Sequence, residues 1–563
     1  MEDVRRIILR WALTNAAEHE RKASSRAVLG KILAELPEWK PRIAELSIIV
    51  DQVVEEVNNM DQKEQRSQIK MVGLMEKPKA EKRRGLPELP NISKYPTVVT
   101  RFAPNPNGAL HIGHMRAALL SHEYARRYKG KFILRFEDTN PENAMLDMYQ
   151  LIKHDLRWLG LTWDEEHTQS DRNKIYYERA EHLIKEGRAY VCNCAVERFR
   201  ELRDVGKHCP CRDLLAEEQL VRWRHMLTGG FREGEVVVRL KTDLKHPNPA
   251  VRDWPALRIV IKLHPRVGKK YTVWPLYNFS SAIDDHEMGI THIIRGKEHE
   301  VNEQRQRIMY DYLGWIYPTA VQYGRLALPN IILSKTHTMQ VIRNGKITGH
   351  DDVKLATIAA LRRRGFLPAT LKQAMLDIGL TPVDASLSWK TLFSYNRKFL
   401  DSIANRYFFV TNPVKLLVRD APELGQVHLR LNPSKPDSGK RVVPMAKEND
   451  ALFFHLSRND VSALKIGDTF RLKDLMNVEL TKKDATLEAK FRGLELANVP
   501  KIQWVPSIGA VELEVIKPDM LERGLAEPSV AGLKVDDIIQ LERYGFVRID
   551  SVQPKLISVY GHR

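Results

Sequence analysis

Apolar residues recur at helical spacing through the first seventy positions. Ile7, Ile8, Trp11 and Ala12 fall on one face with Arg5, Arg6 and Arg10 around them, a second repeat runs from Ile43 to Val57, and Pro37 and Pro41 break the pattern in between. The texture changes at Thr97-Val98-Val99-Thr100-Arg101-Phe102, a β-branched run that predicts a buried strand, cut by the turn Pro104-Asn105-Pro106-Asn107-Gly108. A helix is predicted from His111 to Tyr128, stopped at Gly130, and Lys131 to Phe136 reads as a second strand. This βαβ unit implies a parallel sheet with a ligand site at the strand carboxyl ends. Helices follow over Met145 to Trp158 and Ile175 to Lys185. After an interruption the α/β rhythm resumes at Tyr271, with a strand at Thr291 to Arg295 and a helix at Asn302 to Tyr312. One α/β domain is thus split by an insertion. Asp351 to Trp389 reads as helical. Beyond Tyr407 come short β runs, at Val414 to Val418, Val427 to Leu431, Leu452 to His455, Val511 to Ile516 and Phe546 to Ile549, spaced as in a β-barrel or sandwich.

Composition adds a partner to this outline. The 563 residues carry 89 Lys+Arg against 71 Asp+Glu, a net charge of +18, and a positive excess of that size points to a polyanion, with nucleic acid ahead of an anionic membrane surface. The chain is 43 % hydrophobic, enough for several cores, yet no stretch approaches ~18 consecutive apolar residues. Met1 to Arg6 lacks the apolar segment of a signal peptide, so a cytoplasmic protein without membrane contact is expected. The charged segment Glu76 to Gly85 reads as a solvated linker in preference to a phosphate contact.

All four cysteines fall within twenty residues, as Cys192-Asn193-Cys194 and Cys209-Pro210-Cys211. Two close pairs suggest one shared Zn²⁺, which takes four sulfur or nitrogen ligands in closed structural sites. His208 could replace one thiolate, and free thiols are the rival reading.

The tetrapeptide His111-Ile112-Gly113-His114 sits at the first turn of the predicted helix after the first strand. A helix N-terminus offers free N–H groups and a positive dipole end, two imidazoles add donors, and the glycine lets a flat base approach. With its flank, Arg101 to His114, this segment resembles the signature of class I aminoacyl-tRNA synthetases of the glutamyl and glutaminyl subgroup. Leu134-Arg135-Phe136-Glu137-Asp138-Thr139-Asn140-Pro141 resembles a second block of that family, and Pro275 to Phe279, Ile283 to His286 and Gly289 to His299 resemble a third. Ile332-Leu333-Ser334-Lys335-Thr336 stands where the family carries its mobile Lys-Met-Ser-Lys-Ser loop, with the Ser-Lys core kept.

The resemblance implies the following. The fold is a Rossmann-like class I catalytic domain over 95–190 and 269–349, interrupted by an acceptor-end insertion with the zinc site at 191–268. An N-terminal helical domain occupies 1–94, a helical connecting domain 350–395, and β-barrel anticodon-binding domains 396–563. The β-rich tail is similar to that of archaeal-type glutamyl enzymes, whereas the bacterial type carries helices there. The reaction is ATP- and Mg²⁺-dependent activation of L-glutamate followed by transfer to tRNA(Glu), through the 2′-hydroxyl, with tRNA(Gln) as a further acceptor in some members. His111, Gly113, His114 and Lys335 would hold ATP, with His111, His114, Ser334 and Lys335 catalytic. Glutamate would meet Arg101, Asn105, Tyr277 and Arg295 and place its ammonium group on Glu137. Glutamate is preferred to glutamine because a buried carboxylate needs a cation and glutaminyl enzymes typically lack an arginine at the position of Arg295. Residue by residue, Arg101 could instead pair with Glu137 or Asp138, and Arg295 could cap a strand end. Cys192, Cys194, Cys209 and Cys211 would bind zinc. A monomer is expected. The rivals are a glutaminyl-tRNA synthetase and a tRNA-binding paralogue without catalysis.

Overall fold

A computed structural model describes residues 2–18, 22–72, 86–329, 340–342, 344–345 and 347–563. The chain divides into two compact units, Met1–Arg84 and Gly85–Arg563. Among the described residues, no helix is long and apolar enough to cross a membrane.

The first unit is helical: α1 (Glu2–Glu18), α2 (Ser25–Glu35), α3 (Ile43–Asn59) and α4 (Gln62–Val72). Its core joins Ile8, Ala12, Leu13 and Ala16 of α1 to Val28 and Ile32 of α2 and to Leu46, Val50, Val53 and Val57 of α3. Those positions recur every three or four residues, which is why the hydrophobic repeat was readable. Pro37 and Pro41 lie in a short 3₁₀ turn between α2 and α3. Asp61 caps α4: its Oδ1 accepts from the Lys63 and Glu64 amides while Glu64 Oε2 accepts from Asp61 N.

In the second unit, β1 (Val99–Phe102), α5 (Ile112–Arg127) and β2 (Lys131–Phe136) form the predicted βαβ unit, and β3 (Glu165–Thr168) continues the parallel ladder beyond α6 (Leu146–Trp158). After α7 (Asn173–Lys185) comes the insertion. Here β4 (Ala189–Cys192), β5 (Val237–Leu240), β6 (Pro255–Ile259) and β7 (Val273–Pro275) make an antiparallel sheet, with α8 (Val196–Asp204) and α9 (Ala216–Leu227) between β4 and β5. The segment after Tyr271 therefore closes this antiparallel sheet before the parallel one resumes. It resumes past α10 (Tyr277–Glu287) with β8 (His292–Gly296), α11 (Glu300–Leu313) and β9 (Thr319–Tyr323), another parallel pair. Thr291 stitches the halves together, its N–H donating to Val99 O at 2.9 Å and its hydroxyl accepting from Val99 N at 2.8 Å. The three-stranded ladder β3-β2-β1 and the pair β8-β9 meet at that stitch, and the strand order reverses there, where open α/β sheets bind ligands.

A short pair, β10 (Leu326–Ala327) with β11 (Ala385–Ser386), and three helices, α12 (Ile358–Arg363), α13 (Pro368–Ile378) and α14 (Trp389–Leu400), follow. The helical expectation for 351–389 is corrected at both ends. Asp351 to Ala356 is not helical, and Trp389 begins a helix, with Ser388 Oγ accepting from Thr391 N at its start. Leu361, Leu371 and Leu392 share one core with Phe102, Leu119 and Leu134. The remaining chain builds two seven-stranded, barrel-like sheets. Residues 407–410 serve both: Tyr407 and Phe409 enter one core, Phe408 and Val410 the other, as the two-residue side-chain period of an extended chain allows.

Candidate active site

The turn before α5 is organised by its own imidazoles. His111 caps the helix, its Nδ1 accepting from Gly113 N at 3.1 Å, and the His114 Nδ1 accepts from His111 N at 3.3 Å. Both Nδ1 atoms act as acceptors, which leaves the ring proton on Nε2. The rings lie 3.7 Å apart between centroids. A second strut comes from the segment before α12: Ile112 N donates to Ala356 O at 3.2 Å and Ile358 N to Leu110 O at 2.9 Å. Thr357 then caps α12 through Ala360 N at 3.1 Å.

This turn borders a cavity of about 650 Å³ at the carboxyl ends of β1 and β8. Arg101, Asn105, His111, Gly113, His114, Glu137, Tyr277 and Arg295 all line it. The structure thus brings together every candidate ATP- and glutamate-binding residue it describes; Ser334 and Lys335 lie outside the described residues.

Arg101 pairs with neither Glu137 nor Asp138. Its Nε and Nη2 donate to the two oxygens of Asp285 at 3.0 and 3.2 Å. Asp138 is engaged by the Tyr149 hydroxyl at 2.6 Å and the Ser170 amide at 2.8 Å. Glu137 accepts from Arg135 Nη2 at 3.0 Å, and Arg135 Nη1 donates to Asp285 at 2.8 Å. Asp284, one residue back on α10, takes Arg172, Gln169 and Tyr176. Three guanidiniums, Arg101, Arg135 and Arg172, therefore face three carboxylates, Glu137, Asp284 and Asp285, in a buried and balanced network. Burial alone would raise the Asp285 carboxyl, but Arg101 and Arg135 hold it below the usual carboxylate range. Burial wins at Glu137, whose carboxyl lies above that range despite Arg135 and Arg101. A carboxylate so disfavoured gains from an incoming cation.

Arg295 does not cap a strand end. From the fourth residue of β8 it donates to Gln306 Oε1 and to the Tyr317 hydroxyl, both at 3.0 Å, while the Glu303 carboxylate stands off at 3.8 Å. Its direct partners are neutral, unlike those of Arg101. Sequence reasoning missed Arg135 and Asp285 as parts of the site. The available signal was two adjacent acids, Asp284-Asp285, on a helix otherwise apolar enough to be buried.

In the insertion, Cys192, Cys194, Cys209 and Cys211 place their sulfurs within 4.8 Å of one another, with Cys192 to Cys209 at 3.8 Å and Cys194 to Cys211 at 3.6 Å. A tetrahedron with Zn–S bonds of about 2.3 Å has S···S edges of about 3.8 Å, so the thiols fit one Zn²⁺. Without an ion the sulfurs share protons: the hydrogen bond between Cys192 and Cys209 lowers the Cys209 thiol and raises that of Cys192, and burial raises Cys194, so a metal would have to displace the remaining protons. His208 is exposed and faces Asp213 at 3.5 Å, outside this cluster.

Comparison with known proteins agrees with this architecture. Residues 97–402 match the catalytic domain of class I tRNA synthetases (E and Q), and residues 404–495 and 501–550 match two anticodon-binding domains of the same class. The chain is 49 % identical to a glutamate-tRNA ligase of Pyrococcus furiosus and 48 % to one of Thermococcus kodakarensis, with the whole of each chain covered. It is 44 % identical to that of Methanothermobacter marburgensis over 99 % of both. The chain belongs to the class I tRNA synthetases of the glutamate and glutamine subgroup, and within it to the glutamate-tRNA ligases.

Proposed function

We propose that the chain joins L-glutamate to the adenylyl group of ATP, releasing pyrophosphate, and passes the glutamyl group from the adenylate to the 3′ end of tRNA(Glu). The observation that carries the glutamate assignment is Arg295: a buried guanidinium on the cavity wall whose hydrogen bonds go to neutral groups and whose nearest carboxylate stands at 3.8 Å. A side-chain carboxylate completes such a cation, whereas a carboxamide does not. Glu137 is the counterpart for the ammonium group.

The chemistry asks for positioning more than for a base. The glutamate α-carboxylate is ionised at neutral pH and attacks the α-phosphorus directly; the bond to pyrophosphate breaks as the mixed anhydride forms. The Nε2–H groups of His111 and His114, at the positive end of α5, stabilise the phosphate charge, and Lys335 does so for the leaving group. Mg²⁺ brought in with the triphosphate would neutralise part of its charge. The terminal ribose 2′-hydroxyl then attacks the carbonyl and AMP leaves. Residues 191–268, where the four cysteines would hold zinc, receive the acceptor end, and 396–563 read the anticodon.

Purified tRNA(Glu) and tRNA(Gln) charged with labelled glutamate and, separately, glutamine test this reading. Glutamate should be attached to tRNA(Glu), and its attachment to tRNA(Gln) would add a second acceptor. Attachment of glutamine alone would make the chain a glutaminyl enzyme. Absence of charging together with absence of tRNA-supported ATP–pyrophosphate exchange would leave a tRNA-binding protein.

A further inference from the structure

His299 lies on the cavity wall beside Arg295 and Tyr277, its ring 5.5 Å from that of Tyr277. Its orientation is set by a relay of two amides. Asn278 Nδ2, at the start of α10, donates to Asn302 Oδ1 at 3.1 Å, while its own Oδ1 is buried without a partner, and the Asn302 –NH₂ group is turned to the imidazole. Asn302 Nδ2 in turn meets His299 Nδ1 at 3.0 Å. An amide N–H can only donate, so Nδ1 accepts and the ring proton sits on Nε2. Nε2 has no hydrogen-bond partner among the described residues. Burial, with the nearby Arg295, pushes the imidazolium down to about 4, so the ring stays neutral at physiological pH.

We infer that His299 is a further specificity-determining residue, donating its Nε2–H to the side-chain carboxylate of the substrate next to Arg295. The inference rests on the glutamate reading above and deepens it. A carboxylate offers about four lone-pair sites, more than one guanidinium edge occupies, and accepts from every side. A carboxamide offers two acceptor sites and a donor –NH₂ group. Against the Arg295 guanidinium on one side and a fixed N–H on the other, its –NH₂ group meets a donor whichever way it is turned. Because the second donor is neutral, it adds selectivity without a second cation beside Arg295.

Steady-state charging of tRNA(Glu) by the full-length protein tests this, with native protein, His299→Phe and His299→Gln side by side. Phenylalanine keeps a ring against Tyr277 and removes the donor; KM for glutamate should rise tenfold or more, with KM for ATP and for tRNA within twofold. Glutamine restores an N–H but can also turn its carbonyl inward. It should recover part of the glutamate affinity while glutamine becomes a better competitive inhibitor by tenfold or more. Asn302→Asp, which accepts from Nδ1–H and so moves the proton off Nε2, should raise KM for glutamate with the ring still in place, and the ¹⁵N shifts of the His299 ring should report the exchanged tautomer. An unchanged KM for glutamate in His299→Phe, or a rise confined to ATP, would overturn the inference. A native protein that does not charge glutamate at all would instead overturn the reading beneath it.

Discussion

Asp155 on α6 has a fully buried carboxylate whose Oδ1 is 3.4 Å from Arg362 and whose Oδ2 meets no donor. Burial pushes this carboxyl up to about 7, against the pull of Arg362. In the unfolded chain it titrates near the ordinary value of about 3.9. Between those two values the folded state holds a proton that the unfolded state has lost, so this group makes stability fall as pH rises through about 4 to 7, after which its contribution is constant. Asp155→Asn keeps the shape and removes the charge. Its stability relative to the native protein should improve between pH 5 and pH 8, by on the order of 2 kcal/mol, in thermal unfolding followed at both pH values. A difference that does not change with pH would show that the carboxylate is not held protonated. Asp155 also marks what the sequence could show at this scale. His111, His114, Arg101, Glu137, Tyr277 and Arg295 were legible because they stand in ordered motifs, and all line one cavity. The partners of those charges were not. Asp285 lies 184 residues from Arg101 and 150 from Arg135, and nothing in local spacing says which acid a fold will bring to which base.

Elements with a regular period were read with small errors at their ends. The α5 and β2 segments were expected within about a residue of where they lie, because a 3.6-residue repeat followed by a β-branched run admits few alternatives. Alternation shows that a strand has two faces but not what covers each, so the segment 407–410, shared between two cores, could not be foreseen. The insertion lay between these extremes, since its cysteine pairs were visible and its sheet was not. Cys192 ends β4 and Cys209 begins the short 3₁₀ turn at Pro210–Asp213, so one ion would tie a strand to the loop that returns to it. That loop has little core of its own: Phe199 is its one large buried apolar side chain besides Tyr190 of the strand. Metal binding would then supply much of its folding free energy. Purified protein should hold one zinc per chain by elemental analysis. Cys209→Ser should lose most of it and become open to proteolysis between residues 193 and 213, with charging reduced at least tenfold. Metal-free protein with the native digestion pattern would argue that the thiols pack without an ion.

The distribution of charge gives the whole molecule a character that no element shows. The first 90 residues hold 17 Lys+Arg and 15 Asp+Glu, so a surplus of 16 of the net +18 belongs to the chain that follows. Little of it is spent in the catalytic interior, where Arg101, Arg135 and Arg172 are matched by Glu137, Asp284 and Asp285. The excess is therefore carried mainly by exposed side chains, outside the small-molecule site, where it can meet the phosphates of a bound RNA. The two kinds of electrostatics should separate in solution. Exposed charges are screened over about 8 Å at physiological ionic strength, and RNA binding releases condensed counterions, so the logarithm of tRNA affinity should fall linearly with the logarithm of salt concentration. With several phosphates neutralised, raising salt from about 50 to 200 mM should weaken tRNA binding at least tenfold. The buried, balanced network is shielded from solvent, so KM for glutamate measured at saturating tRNA should change less than twofold over the same range. Filter binding for tRNA and steady-state charging for glutamate read the two quantities independently. A tRNA affinity indifferent to salt would mean that the basic surplus does not face the RNA, and a glutamate KM that rose in step with it would mean that Arg295 is far more open to solvent than its burial indicates.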